Sequence, residues 1–327
     1  MAHMLEFDEA GNAKMAYAVG SEVPWHGLGF QVDPKATPRE WMVASDCDWT
    51  VEKVPLSGVY NGEILETQAE ALVRSTDGKL LSVVTDGWNP VQNQEAFDFF
   101  AEYCEAGSMT METCGSLKGG RHVWALAKTG EAFEILGGDA VEGFFLFSNP
   151  HEYGKGIDVR GTNTRVVCRN TIQLALSEDS KHQVRINHRT VFDAEAVRMQ
   201  LGIAKSKLGK YKELAEFLSS KRYGGNQQVL EFFNRVFPKT TIKEAADTLS
   251  YDALGLQARN AFDVLETQPG AEFGRGTFWQ LANAATYQID HLQGRNADNR
   301  QSSAWFGKGA GQKLSAFTVA NKMALVA

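Results

Sequence analysis

Six cations, Lys155, Arg160, Arg165, Arg169, Arg185 and Arg189, fall close together in the middle of the chain. Lys and Arg recognise phosphate by charge and, for Arg, by a planar fork of N–H donors. A row of them along an extended segment can neutralise a nucleic-acid backbone, with the salt dependence that counterion release brings. If the segment is a strand, Arg165 and Val167 share one face and Val166 takes the other. Arg185 and Asn187 share a face of the next strand, with Val184, Ile186 and His188 opposite. Asn170 or Thr171 can cap a helix running to about Leu176. Arg169 would then stand at a helix entry, where free backbone N–H groups favour anions. Tyr153, and Trp124 with Arg121, are the aromatics nearby that could stack on bases. Trp124 sits in an apolar strand, and core is the stronger reading of it. The plainer reading of the whole segment is a solvated basic face.

Other chemistries find less support. Cys168 lies between Arg165 and Arg169, an arrangement that lowers a thiol pKa. Covalent chemistry there would need a base, and His188 is the nearby candidate in sequence. His182 and His188 flank a strand without fixed ligand geometry, and Asp290-His291 are adjacent on a helix, about 100° apart. His26 lies in the turn-rich Pro24-Trp25-His26-Gly27-Leu28-Gly29. No metal site or other cofactor is implied. Carboxylate pairs such as Asp46/Asp48 and Glu178/Asp179 are no denser than chance allows. The chain has no phosphate loop, dinucleotide fingerprint, nucleophile elbow or zincin helix. Gly307-Lys308-Gly309-Ala310-Gly311 is basic but has no strand before it, so it reads as a helix-entry loop.

These residues need a scaffold, and the pattern predicts an α+β one. Thr37-Pro38-Arg39-Glu40 is a capping box with Pro at the first helical position, opening a helix to about Ser45. Strands are expected at Asp48–Pro55, Ala69–Arg74 and Leu80–Thr85, the last two joined at Asp77-Gly78. Asn93 should cap a helix over Gln94–Tyr103. Met109–Leu117, Arg121–Lys128, Glu142–Ser148 and Gly156–Val167 read as strands, as does Gln183–Asn187. An antiparallel sheet with a β-β-β-α core is thus expected over residues 1–189. Residues 190–327 form a mainly helical region, packed on the sheet or on a neighbouring subunit. In it Val197, Leu201, Ala204, Leu208, Tyr211, Ala215 and Leu218 recur in steps of 4 and 3, the seam of one long helix. Further helices fit Gln227–Phe237, Gly255–Glu266, Thr277–Gln293 and Gln312–Leu325.

Composition narrows the class. At 327 residues, with 43% hydrophobic and 22% charged residues, the chain can bury a large core and is neither disordered nor collagen-like. The longest apolar run, Val141 to Phe147, is far short of a membrane span, and the N-terminus lacks the basic and apolar regions of a secretory signal. Cys47, Cys104, Cys114 and Cys168 include no C-x-x-C pair and read as reduced thiols, which points to the cytoplasm. Net charge is −7, but residues 1–154 carry 9 Lys+Arg against 24 Asp+Glu, a net of −15. Residues 155–222 carry 14 against 7, a net of +7. A polarity this strong makes a polyanion a candidate partner despite the acidic total.

The run Arg165-Val166-Val167-Cys168-Arg169-Asn170-Thr171 resembles the phage/plasmid-like protein family built on domain of unknown function 932. So do Met1-Ala2-His3, Pro24 to Gly29, Asn89-Pro90-Val91-Gln92-Asn93, Gly120-Arg121 with Trp124, Gly276-Thr277-Phe278-Trp279 and Asp290-His291. Trp88 stands where the family pattern suggests Tyr, and the loop after His151 is less Gly-rich. The family brings a phage or plasmid setting but little function. Strands leading into a basic helix entry are also similar, in architecture alone, to single-strand annealing recombinases, which assemble as rings or filaments. Together these imply a cofactor-free, single-stranded DNA binding or annealing protein in the bacterial host cytoplasm. It would form a homo-oligomer, with no membrane partner and phosphates along the six cations. Two alternatives stand beside it: a non-enzymatic interaction or regulatory protein of a mobile element, and an enzyme using Cys168 or a histidine site.

Overall fold

The computed structural model describes residues 7, 11–20, 29–85, 87–165, 171–173, 184–186, 194–239, 249–294, 300, 303–305 and 307–327. Helix α1 (Pro38–Ala44) begins as its sequence requires: the Glu40 N–H donates to the Thr37 hydroxyl, and the Glu40 carboxylate accepts from the Thr37 N–H at 2.7 Å. Strands β1 (Met15–Ala18) and β2 (Phe30–Val32) precede it, paired in parallel. A separate three-stranded antiparallel sheet follows, β3 (Val51–Tyr60), β4 (Glu63–Arg74) and β5 (Leu80–Thr85).

Helix α2 spans Asn93–Ala106, one residue earlier than expected, and Asn93 is not its cap. Gln92 stands at that position, its N–H donating to Glu95. The Gln92 side chain meanwhile pairs with both backbone groups of Val51, as a strand residue would. Asn93 is thereby released to point inward, where it is fully buried.

The main sheet is built by β6 (Thr110–Leu117), β7 (His122–Ile135), β8 (Asp139–Pro150) and β9 (Ile157–Arg165), in sequential antiparallel pairing. β6 also pairs with β1. On the outer side of β9 lie two short strands, β10 (Thr171–Gln173) and β11 (Val184–Ile186). β10 corrects an expectation, since Thr171–Gln173 is a strand rather than the start of a helix. Pairing Thr171–Gln173 with Thr162–Thr164 satisfies backbone groups that the edge of β9 would otherwise leave open, and β-branched Thr and Ile suit that role. The rest of that expected corner, residues 166–170 and 174–176, lies outside the described residues.

Alternation along β7 and β8 sends side chains to two cores. Val123, Ala125, Phe145 and Phe147 face α1, α2 and the small sheet, meeting Trp41, Phe97 and Phe100. Trp124 and Leu146 face the helical half: α3 (Ala194–Ser220), α4 (Asn226–Val236), α5 (Leu256–Asp263), α6 (Phe278–Tyr287) and α7 (Lys308–Ala324). The fold is α+β, with a sheet-rich first half and a helical second half laid against one sheet face. The second part of the α3 seam packs in cis, with Leu208, Tyr211, Ala215 and Leu218 all buried, while the side chains of Val197, Leu201 and Ala204 lie outside the description. After α6 the chain continues as a π-helical turn, Gln288–Leu292. It places Asp290 2.8 Å from Lys313 of α7, both buried. Asp290 is thus occupied by an ion pair, while His291 packs its ring on Tyr287. Among the described residues no helix is long and apolar enough to cross a membrane.

Candidate nucleic-acid interface

The predicted basic segment emerges at the outer margin of the main sheet. Its geometry is set by register: Trp124 of β7 lies opposite Ser148 of β8, Ser148 opposite Asp158 of β9, and Asp158 opposite Arg185 of β11. Arg160 is two residues from Asp158 on the same strand face and binds its carboxylate through Nε. Two arginine positions 25 residues apart in sequence are therefore neighbours around one aspartate.

The other predicted residues are placed less uniformly. Lys155 sits in the exposed loop after β8, with its ammonium on Glu152 at 2.5 Å. Arg165 is at the far end of β9, opposite Val141. Seven residues of strand separate positions 158 and 165, roughly 23 Å. The odd step from 160 to 165 also assigns those two positions to alternate faces. Arg169 and Arg189 lie outside the described residues, as do Cys168, His182, His188 and His26. Of the aromatics, Tyr153 is exposed beside Lys155, whereas Trp124 is fully buried against Trp305 and cannot reach a base.

Behind this margin lies a buried polar layer that local sequence does not reveal. His122, at the start of β7, shares a 2.5 Å hydrogen bond with Ser148 Oγ, and both are buried. Burial drives the His122 pKa down to about 3, helped by the positive charges of Lys155, Lys118 and Arg160. Lys118, Lys155 and Arg160 come from two turns and a strand, so their fields converge on this corner. His151 is also fully buried, and burial alone lowers its pKa to about 3. Asn93 Nδ2 donates to the carbonyls of Cys47 at 3.0 Å and Trp49 at 3.3 Å, which turns its Oδ1 toward His151. His151 Nε2 must then carry the proton it donates to Asn93 Oδ1 at 2.9 Å, leaving Nδ1 with no partner among the described residues.

The turn before His122 is tight. Gly120 has φ +83°, and a Cβ there would stand 3.1 Å from the Trp49 ring and 3.2 Å from Arg74 Nη1. Arg74 lies over the Trp49 ring and forms a paired fork with Asp77, holding that carboxyl far below its usual range. The Gly120-Arg121 dipeptide noted in the sequence is therefore a packing requirement beside the site.

A serine bonded to a histidine is half of a nucleophilic site, but neither member of the His122–Ser148 pair is open to solvent. Cys104 and Cys114 are buried, with their thiols pushed up to about 12 by desolvation, which makes them inert. Among the described residues no group of three His, Cys, Asp or Glu could hold a metal ion. The arrangement's chemical capacity is electrostatic: exposed and half-exposed cations at a sheet margin, backed by neutral imidazoles.

Comparison with known proteins places the chain in a family without naming an activity. No curated protein and no solved structure matches it. The family model described as Domain of unknown function (DUF932) matches residues 80–305, which takes in β5, α2, the main sheet from β6 to β11 and most of the helical layer. With well over half of its length matched, this chain belongs to the DUF932 family.

Proposed function

We propose that this chain is a phage-encoded protein that binds and anneals single-stranded DNA in the cytoplasm of a bacterial host, acting in recombination or replication as a homo-oligomer. The observation that carries the reading is the position of Arg185 opposite Asp158, two residues from Arg160. Two arginine positions thus stand beside one aspartate position, and that excess of cationic positions is what a phosphate would meet. Lys155 adds a second: its pair with Glu152 is half-exposed, and such pairs contribute little and exchange readily for a better anion. Lys118, Lys155 and Arg160, which add to the effect of burial in lowering the His122 pKa, support the same corner as electropositive. Tyr153, 56% exposed, offers a ring on which a base can stack. Arg169 and Arg189 would extend the track along the margin, and Arg165, at the far end of β9 on the alternate face, would carry it around the sheet edge.

Fluorescence anisotropy of a labelled oligothymidine across a salt series tests this. Lys155→Ala with Arg185→Ala should weaken binding and reduce the slope of log K against log[salt] by about 1.4, two phosphates at roughly 0.7 each. Both substitutions leave the Asp158–Arg160 pair itself unaltered. A folded double variant with unchanged affinity and slope removes the assignment. Arg165→Ala with Arg169→Ala tests the extension of the track in the same assay.

A further inference from the structure

We propose that the β3–β4 hairpin is an assembly arm that seats on helix α3 of a second copy of this chain, joining subunits head to tail. This inference rests on the self-assembly part of the function proposed above and identifies the surfaces that would perform it.

The hairpin is long for what it packs against. β3 and β4 pair from Val51/Arg74 out to Tyr60/Glu63, closed by Asn61-Gly62 with φ of 50° and 84°, the left-handed pair that a two-residue turn requires. No residue from Glu52 to Glu70 is buried. β5 pairs with β4 only from Ala69 to Val73, so the outer part of the arm is two strands alone, which are marginally stable in water and call for a partner. Its tip is also apolar on both faces. Val59 and Ile64, each 77% exposed, are cross-strand partners on one face. Tyr60 and Leu65 lie on the other, 71% and 57% exposed. A hairpin that only needed solvation would alternate polar residues there.

Charge selects the occupant. From Val54 to Val73 the arm holds Glu63, Glu66 and Glu70 and no Lys or Arg. Glu70 pairs with Lys53, whereas Glu63 and Glu66 have no ion pair among the described residues. Helix α3 carries the complement. Lys207 and Lys210 have no carboxylate partner among the described residues, and burial, with the charge of Lys210 nearby, lowers the Lys207 pKa. Lys212, by contrast, has Glu216 at 3.8 Å. Met199, 65% exposed, lies three turns from Lys210 on the same side of the helix and gives the apolar tip a contact. Arm and helix are different surfaces of one chain, so their contact is heterologous and repeats into a ring or filament.

Sedimentation velocity of the full chain without DNA tests the proposal. Wild type should associate, and Val59→Ser with Ile64→Asp should weaken association by about tenfold or more. Lys207→Glu with Lys210→Glu should do the same. All four positions are exposed or half-exposed, and circular dichroism checks that the variants fold. An equimolar mixture of arm variant and helix variant keeps one intact arm and one intact helix, so it should form dimers and nothing larger. A monomeric wild type, arm variants that assemble like wild type, or a mixture that forms no dimer would each overturn it. Oligothymidine binding by the same variants, measured separately, distinguishes failure of the assembly contact from failure of the DNA-binding reading.

Discussion

Trp279 Nε1 donates a 2.7 Å hydrogen bond to Asp139 Oδ2, joining helix α6 to the first residue of β8 across 140 residues of sequence. Both side chains are fully buried. The bond ties the helical layer to the sheet whose margin carries the candidate site, so damage to it should loosen the two halves together. Trp279→Phe removes the donor and leaves a carboxylate in the core. Stability should fall by about 1–3 kcal/mol, read as a lower urea midpoint with an unchanged m-value.

Acid should destabilise the protein through its two buried imidazoles. The folded-state pKa of each is about 3, against an unfolded value of about 6.5. Above pH 6.5 both states hold neutral histidine and the linkage vanishes. Between pH 6.5 and about 3 the unfolded chain takes up protons that the folded one refuses, so stability falls with pH. The expected slope is about 1.4 kcal/mol per pH unit for each histidine. Urea midpoints at pH 7, 6 and 5 measure it, and His151→Gln should lower the slope by about half.

Gly120→Ala introduces a Cβ at a left-handed φ, into contact with the Trp49 ring and Arg74. A loss of roughly 1–3 kcal/mol in thermal or chemical unfolding is expected. An unchanged melting temperature would mean that the turn has room the packing does not show.

Thr37→Ala deletes the hydroxyl that caps α1 and the group that orders Glu40. The cost should be about 1 kcal/mol by denaturant titration. Thr37→Ser should restore most of it. Oligonucleotide affinity of the folded variant should not change, because α1 lies against the sheet face away from the helical layer.

Local signals in the sequence identified most elements because they depend on neighbours a few residues apart. The capping box at Thr37, the Asp77-Gly78 turn and the 4-and-3 steps of α3 all report contacts within one or two helical turns or strand pairs. Where two uses of a residue look alike locally, that reasoning failed. Asn93 suits a helix cap and a buried amide equally well, and the free edge on Val51 gave the cap position to Gln92. Thr171–Gln173 could begin a helix or pair an open strand edge, and β9 supplied the edge.

The amino-acid sequence by itself determined the α+β class, the polarised charge, the family resemblance and the list of cations. Tertiary structure decided which of them meet. Register brought Arg185 to Asp158 and separated position 160 from 165, while burial made His122 and His151 neutral and withdrew Trp124 from solvent. Register and burial are properties of strand pairing and layer packing. They depend on residues tens of positions apart, which no local pattern records.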